Sequence, residues 1–247
     1  MRRGACYLSF PFKEVPLRRT SIITAAALLA ALAVSAAPAP HKKAKKGSSK
    51  MDPAHTQATL VTDFGDITIR FFPDKAPHHV QNFIELAQKH VYDGVLFHRV
   101  IPGFMIQTGD PLTKNPKTPR ELMGTGAYAA PKGNAEGFVY NTIRVSEPDG
   151  GQKTETIRNV KAEFNDVSHK RGIVSMARAS DPNSASSQFF IVVKDSTFLD
   201  KQYTAFGEVT AGMDVADKIA AAPRDGRDNP NSPIHIKRVV LSPIPAS

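Results

Sequence analysis

The feature that most constrains the fold is a series of short runs rich in β-branched and aromatic residues, which begins at Thr59 and is broken by turns. Thr59–Thr62 and Ile67–Phe71 flank Asp63-Phe64-Gly65-Asp66, a pattern typical of a β-hairpin. Further strands are predicted over residues 95–100, 104–108, 173–177, 188–193, 205–209 and 234–241.

Two segments have helical periodicity instead. Pro77 opens the first, which continues to about His90 with apolar residues at helical spacing. The second runs from Met213 to Ala221 and ends before Pro223. Many short strands with two isolated helices predict a mainly β fold, an antiparallel barrel or sandwich capped by the helices.

Residues 111–157 differ from the rest, because they contain many Gly, Pro, Asn and charged residues and little sustained periodicity. A stretch of this length inside a compact domain is typical of a functional insertion or a mobile loop. We therefore treat residues 111–157 as an insertion-like segment.

The formal net charge of +9 is concentrated at the amino end. Residues 1–50 hold ten of the 32 Lys and Arg but one of the 23 Asp and Glu, so residues 51–247 are formally neutral. Binding to nucleic acid needs clustered cations opposite the phosphates. We therefore expect no nucleic-acid partner for the domain.

The first 36 residues have the pattern of a secretory signal, with Arg18-Arg19, an uncharged run from Ile22 to Val34, and small residues around Ala36. The run is shorter than the roughly 20 apolar residues that span a membrane. We expect cleavage near Ala36 and export to the periplasm; the alternative is a membrane anchor through residues 22–37. The only cysteine, Cys6, precedes the cut.

Residues 37–58 are rich in Pro, Lys and Ser, which is typical of a flexible linker. The lysines from Lys42 to Lys50 make this linker basic. Contact of these lysines with anionic lipid or cell wall is an alternative interpretation.

An arginine inside an apolar strand is the first chemical signal. Strand periodicity places Val95, Phe97 and Arg99 on one face. Arg99 is then either an edge residue reaching to water or a fixed donor in an apolar groove. Gln107 and Gln188 also lie among large apolar residues, and these two glutamines and Arg99 could satisfy each other or be three unrelated surface residues. Their occurrence beside large apolar residues favours one apolar pocket with a few convergent polar groups.

Other chemistries lack support. The serines at 184, 186 and 187 have no G-x-S-x-G context, and Gly124-Thr125-Gly126 lacks the lysine of a P-loop. No histidine pair has the H-E-x-x-H spacing, and we expect His78 and His79 at an exposed helix start. The sequence predicts neither a metal site nor a cofactor.

Several motifs together resemble the cyclophilins, and most of all their bacterial exported branch. The matching segments are Phe97–Asp110, Gly172–Arg178, Ser187–Ile191, Phe198–Asp200 and Ala205–Val209. The resemblance implies an eight-stranded antiparallel barrel capped by two helices over residues 59–243. It also implies a peptidyl-prolyl cis-trans isomerase that needs no cofactor and binds proline-containing segments of client proteins.

The resemblance assigns site residues by position. Arg99, Phe104 and Gln107 would be catalytic, with Gln107 and Gln188 orienting the arginine and the substrate backbone. The substrate-binding residues would be His98, Met105, Ala177, Arg178, Gln188, Phe190, Phe198, Leu199 and Tyr203.

Three of these positions depart from the family pattern. Phe198 stands where many members have Trp, which implies weaker binding of cyclosporin-type inhibitors with less effect on catalysis. Tyr203 stands where many have His, and Arg178 where eukaryotic members commonly have Asn.

A non-catalytic, proline-peptide-binding chaperone module on the same fold is the alternative function. We expect a monomer that contacts membranes only if the signal segment stays uncleaved.

Overall fold

The computed structural model describes residues 51–146 and 151–245, and the side chains of residues 145 and 146 are not part of that description. The predicted signal segment, residues 1–36, and residues 37–50 of the predicted linker lie outside the described residues. No helix in the described part is long and apolar enough to cross a membrane.

The described residues contain ten strands and two α-helices. The strands are β1 Thr56–Thr62, β2 Gly65–Phe71, β3 Arg99–Ile101, β4 Met105–Thr108, β5 Phe138–Ser146, β6 Gln152–Val160, β7 Ile173–Met176, β8 Phe189–Val192, β9 Ala205–Ala211 and β10 Ile236–Pro243. The helices are α1 Pro77–Gln88 and α2 Met213–Ala220.

Eight of these strands form one antiparallel sheet in the order β10-β1-β2-β9-β7-β8-β4-β3. The sheet curls until its edges meet, where Phe97 N donates to Ile234 O at 2.9 Å and Ile236 N donates to Val95 O at 2.8 Å. Leu96 and His235 form an antiparallel bridge between them. The prediction of an eight-stranded antiparallel barrel capped by two helices is confirmed.

The core explains why α1 forms and where it packs. Its apolar residues recur at helical spacing and bury Phe83 in an aromatic cluster. The Phe83 ring centroid lies 5.4 Å from that of Phe71, 5.3 Å from Phe189 and 5.7 Å from Phe206. These rings belong to β2, β8 and β9, so α1 is fixed to three strands of the barrel.

The barrel begins earlier than the sequence predicts. Strand β1 starts at Thr56, where Gln57 pairs with Ser242 and buried Ala58 pairs with Leu241. Residues 56–58 therefore belong to the domain and not to the linker, since their backbone hydrogen bonds are part of the sheet.

The insertion-like segment 111–157 contains regular secondary structure over much of its length, which favours the insertion over the loop. Strands β5 and β6 pair from Phe138↔Val160 to Ser146↔Gln152 as a two-stranded ribbon. Residues 111–123 contain two 3-10 turns, Pro111–Lys114 and Arg120–Leu122. The ribbon has no apolar alternation because residues 141–144 and 151–154 are exposed.

The predicted strand 95–100 is also different in the structure, where regular strand begins at Arg99. Val95 and Phe97 are buried as the alternation predicts, but Arg99 is exposed and its neighbour Val100 is buried. The alternation shifts because residues 97 and 98 lie outside the regular strand. Arg99 therefore does not share the buried face of Val95 and Phe97.

Candidate functional site

A pocket of about 420 Å³, open to solvent, lies where β3, β4 and β8 meet the chain around Leu199. It brings together nine of the predicted site residues: Arg99, Phe104, Met105, Gln107, Ala177, Arg178, Phe190, Leu199 and Tyr203. Residues distant in sequence thus converge because β4 pairs with both β3 and β8.

The floor of the pocket is apolar. Met105, Phe190 and Leu199 are buried and belong to one hydrophobic cluster with Val192 and Ala205. The Tyr203 ring meets Phe190 edge to face, at 5.7 Å between centroids. Such a floor favours a small apolar ring or alkyl group, because binding removes apolar surface from water.

Arg99 stands at the rim with 45% of its side chain exposed. Its Nε lies 3.7 Å from Asp228 Oδ2, and no hydrogen bond engages its guanidinium within the described residues. The expectation that Arg99, Gln107 and Gln188 satisfy each other holds for the two glutamines alone, since Gln107 Nε2 donates to Gln188 Oε1 at 3.0 Å. The guanidinium donors are therefore left for a ligand in the pocket.

Gln188 fixes the wall beside Arg99 through backbone carbonyls. Its Nε2 donates to Gly124 O at 2.9 Å and to Gly126 O at 2.7 Å. Asp110 holds the same loop, because its Oδ2 accepts from Gly124 N at 2.6 Å. A Cβ at residue 126 would lie 2.0 Å from Asp110 Oδ1, so this close approach requires glycine.

The role of Gly124-Thr125-Gly126 was not predicted from the sequence. These residues and Gln188 line a second cavity of about 610 Å³ beside the first, together with Ser184 and Ser186. Gln107, Ala177 and Arg178 line both cavities. The spacing of these glycines contains no signal for that role, since their partner Gln188 lies more than 60 residues away in sequence.

The Arg178 side chain, which lines the pocket, is fixed by backbone carbonyls and by aromatic rings. Its guanidinium donates to Gln202 O at 3.0 Å and to Ala179 O at 2.8 Å. The guanidinium carbon lies 4.7 Å from the Tyr203 ring centroid and 5.9 Å from that of Phe164. Phe164 was missed in the sequence because it lies in an irregular segment without periodicity.

Two of the predicted substrate-binding residues take other positions. His98 is 3% exposed and lines neither cavity, and Gly124 covers its ring. Burial lowers the pKa of His98, although Asp110 nearby opposes this. Phe198 is 64% exposed and sits outside the pocket with its ring 5.6 Å from that of Phe104.

A hydrogen-bonded chain of Ser175, His169 and Asp200 lies behind the pocket, and the sequence does not predict it. His169 Nδ1 is 3.0 Å from Asp200 Oδ1, and His169 Nε2 is 3.0 Å from Ser175 Oγ. Ser175 is 0% exposed, so no substrate reaches its hydroxyl. This hydrogen-bonded chain supports the pocket instead, since the His169 ring stacks on Phe190 with 6.3 Å between the ring centroids.

A third buried histidine corrects the expectation for the start of α1. His79 is buried, and its Nδ1 lies 2.6 Å from Glu163 Oε2. Glu163 also accepts from the backbone N–H of His78 and His79, each at 3.0 Å, so it caps the helix. Burial would raise the pKa of Glu163, but these hydrogen bonds lower it.

The described residues contain no group of three or more His, Cys, Asp or Glu side chains arranged to hold a metal ion. The polar side chains that line the pocket above its apolar floor are those of Arg99, Arg178, Gln107 and Tyr203.

Comparison with protein families gives one match that spans most of the chain. The family model described as cyclophilin type peptidyl-prolyl cis-trans isomerase/CLD matches residues 57–241. These limits enclose all the residues that line the two cavities.

Two relatives from bacteria are similar over most of their own length. A probable peptidyl-prolyl cis-trans isomerase of Brucella abortus is 41% identical over 189 residues, covering 76% of this chain and 83% of the relative. A peptidyl-prolyl cis-trans isomerase of Acinetobacter baylyi is 35% identical over 200 residues, covering 77% of this chain and 88% of the relative.

Among solved structures, a cyclophilin type peptidyl-prolyl cis-trans isomerase of Cryptosporidium parvum is similar, with a TM-score of 0.58 and 26% identity. The similarity covers 75% of this chain and 98% of that chain. The crystal structure of that protein was determined in the presence of the dipeptide Ala-Pro.

Proposed function

The chain belongs to the cyclophilin-type peptidyl-prolyl cis-trans isomerases, and on that premise we propose how its pocket accelerates rotation about the X–Pro bond. The reaction needs no cofactor. The observation that carries the proposal is the position of Arg99 at the rim of an apolar pocket, with a guanidinium that makes no hydrogen bond to any described residue.

The chemistry demands a donor rather than a nucleophile. Partial double-bond character gives the X–Pro bond a barrier of roughly 18–20 kcal/mol. In the twisted transition state amide resonance is lost, so the prolyl nitrogen becomes pyramidal and more basic. Arg99 donates a hydrogen bond to that nitrogen and so stabilises the twisted amide more than either planar form.

The rest of the pocket fixes the proline side of the X–Pro bond and leaves the other side free to rotate. The floor of Met105, Phe190 and Leu199 binds the proline ring, while the carbonyl of the preceding residue rotates. Gln107, fixed by Gln188, faces the substrate backbone. The crystal of the Cryptosporidium protein with Ala-Pro supports a proline-containing ligand for this pocket.

Replacement of Arg99 tests this assignment. Arg99→Ala is expected to lower kcat/KM by about two to three orders of magnitude, because removal of one preorganised transition-state donor has an effect of that size. Arg99→Lys should restore little, since an ammonium lacks the planar donor fork. Isomerisation of a prolyl peptide is measured by a protease-coupled assay, and thermal unfolding checks the fold.

Unchanged turnover of Arg99→Ala would exclude Arg99 as the donor. The alternative function, a non-catalytic proline-peptide-binding chaperone, is not favoured by the family assignment. This alternative predicts a distinct outcome: the wild-type protein would bind the prolyl peptide in a separate binding measurement but would not accelerate its isomerisation in the protease-coupled assay.

We further propose that the enzyme acts after export, on proline-containing segments of folding proteins in the periplasm. The support is the pattern of residues 1–36 in the sequence. The full chain with a carboxy-terminal epitope, expressed in a Gram-negative bacterium, should be released by osmotic shock with an amino terminus near Ala37. Retention in the membrane fraction would indicate the anchor, and a full-length cytosolic product would contradict export.

A further inference from the structure

We propose that the loop from Pro223 to Asn231, braced by Arg120 of the insertion-like segment, positions Arg99 for catalysis. This inference rests on the proposed function, because it assumes that Arg99 is the donor. Neither the loop nor Arg120 lines the pocket, so their effect on the reaction would be exerted through Arg99. We call residues 223–231 the clamp loop.

The clamp loop holds the backbone on both sides of Arg99. Val100 N donates to Asp228 O at 2.9 Å, and Asn229 Nδ2 donates to His98 O at 2.5 Å. Arg99 is therefore flanked by two residues that are each tied to the same loop. A side chain on a backbone fixed at both neighbours has fewer orientations to lose when substrate binds.

The loop also meets the guanidinium itself. Asp228 Oδ2 lies 3.7 Å from Arg99 Nε, while Asp228 Oδ1 accepts from Arg224 Nε at 3.1 Å. Arg224 thus fixes one carboxylate oxygen and leaves the other facing Arg99. Because this contact is made through Nε, the two Nη groups of Arg99 stay available to a ligand.

The conformation of Asp228 agrees with this role. Its φ is +64°, in the left-handed region that most side chains avoid and that Asp and Asn tolerate. The carboxylate is thereby carried on a backbone that few residue types can adopt. Asparagine is the natural test substitution, because it keeps both the shape and the tolerance for this conformation, while it removes the charge and one of the two acceptor oxygens.

Inside the loop, Asp225 fixes the turn that carries Asp228. Asp225 Oδ1 accepts from Arg227 N at 2.9 Å and from Asn229 N at 3.0 Å. Asp228 N donates to Asp225 O at 3.1 Å. The turn is thus closed by hydrogen bonds at three of its backbone N–H groups.

Arg120 braces the loop from outside, on a 3-10 turn of the insertion-like segment. Its Nη2 donates to Asp225 Oδ2 at 3.0 Å, to Asn229 O at 3.2 Å and to Pro230 O at 2.9 Å. One planar guanidinium therefore joins three acceptors of the clamp loop. This gives the first part of the insertion-like segment a place in the catalytic machinery.

The experiment compares three variants of the full chain. Asp228→Asn should lower kcat by about fivefold with KM unchanged, since an exposed ion pair contributes up to about that factor. Arg120→Met should lower kcat by at least as much, because it releases the whole loop. Arg171→Met is the control, since Arg171 also donates to an aspartate, Asp217, and to a carbonyl, that of Val193.

Thermal unfolding separates positioning from stability. Arg120→Met and Arg171→Met should lower the melting temperature by similar amounts, while only Arg120→Met should lower kcat relative to the wild-type protein. Arg120→Lys should recover part of the loss, since an ammonium reaches fewer of the three acceptors. Equal kcat for Arg120→Met and Arg171→Met would overturn the proposal.

Coupling to Arg99 is the decisive comparison. In an Arg99→Lys background, the Asp228→Asn effect on kcat should shrink, because the group that Asp228 positions is gone. The same fold-loss in both backgrounds would overturn the clamp. If Arg99→Ala were fully active, the proposed function itself would fail; if it is inactive while Asp228→Asn and Arg120→Met match the control, only the clamp fails.

Discussion

Phe198 illustrates how one exposed ring can separate inhibitor binding from catalysis. It is 64% exposed beside the pocket, with its ring centroid 5.6 Å from that of Phe104, but it does not line the pocket that we propose for the proline ring. Many cyclophilins have Trp at this position. An indole is larger and adds an N–H donor that phenylalanine lacks.

Phe198→Trp is therefore expected to strengthen binding of cyclosporin about tenfold and to change kcat/KM less than twofold, since one good hydrogen bond with added apolar contact is worth about 1.5 kcal/mol. Isothermal calorimetry and the protease-coupled assay measure the two effects. An equal change in both would contradict the separation. Phe164→Trp is a control for added indole surface on the other side of Arg178.

At the scale of single residues, the sequence predicts which residues line the pocket better than it predicts their partners. Arg99 and Gln107 could be predicted as pocket residues, because a polar side chain inside an apolar run needs hydrogen-bond partners when it is buried. The partners were different, since Gln188 binds the carbonyls of Gly124 and Gly126, and Arg99 faces Asp228. These partners lie far away in sequence, so strand periodicity contains no information about them.

Among the elements, the β5–β6 ribbon depends on one buried arginine. The guanidinium carbon of Arg158 lies 4.8 Å from the Phe138 ring centroid and 5.3 Å from that of Tyr128. The Arg158 guanidinium nitrogens Nη1 and Nη2 donate to Glu85 Oε2 and Asn82 Oδ1 of α1, each at 2.8 Å. The base of the ribbon is thus tied to α1 by charge and stacking at once.

Arg158→Met is expected to lower the free energy of unfolding by about 2–3 kcal/mol, because it leaves buried Asn82 without its donor and removes both stacking contacts. Chemical denaturation measures this. Arg144→Met on the exposed part of the same ribbon is the control, with an expected change below about 0.5 kcal/mol. Equal effects would show that Arg158 is not the anchor.

The ribbon also shows why some elements were not predicted. Its strands pair over nine residues, yet much of it faces solvent on both sides. A strand without a buried face has no need for apolar alternation, which is the signal that strand prediction uses. In contrast, β1, β2 and the two helices each bury one face, and their positions were predicted to within a few residues.

At the scale of the whole molecule, the three buried histidines among residues 51–146 and 151–245 predict the response of stability to acid. Burial lowers the pKa of His79, His98 and His169, although Glu163 and Asp200 oppose this at His79 and His169. The unfolded imidazoles take up protons near pH 6.5, whereas the buried ones resist them. The unfolded state therefore binds more protons, and the stability present above about pH 6.5 is lost as the pH falls below it.

The expected loss is up to about 1.4 kcal/mol per pH unit for each histidine that stays neutral in the fold. Denaturant titrations between pH 7.5 and 5.0 measure it. His79→Gln should give a shallower dependence than the wild-type protein, because one of the three groups is removed. A free energy of unfolding that is constant over this range would contradict the prediction.

The pairing of β1 with β10 has a consequence for how the chain can be connected. Thr56 lies opposite Pro243, and Ile244 N donates to His55 O at 2.9 Å, so the two ends of the barrel are neighbours. In the closed order of eight strands, β1 is four strands from β8 in either direction. A short linker from Ile244 to His55, with new termini cut at the exposed Asp63-Phe64 turn, should thus yield a circularly permuted enzyme whose pocket strands keep their original order.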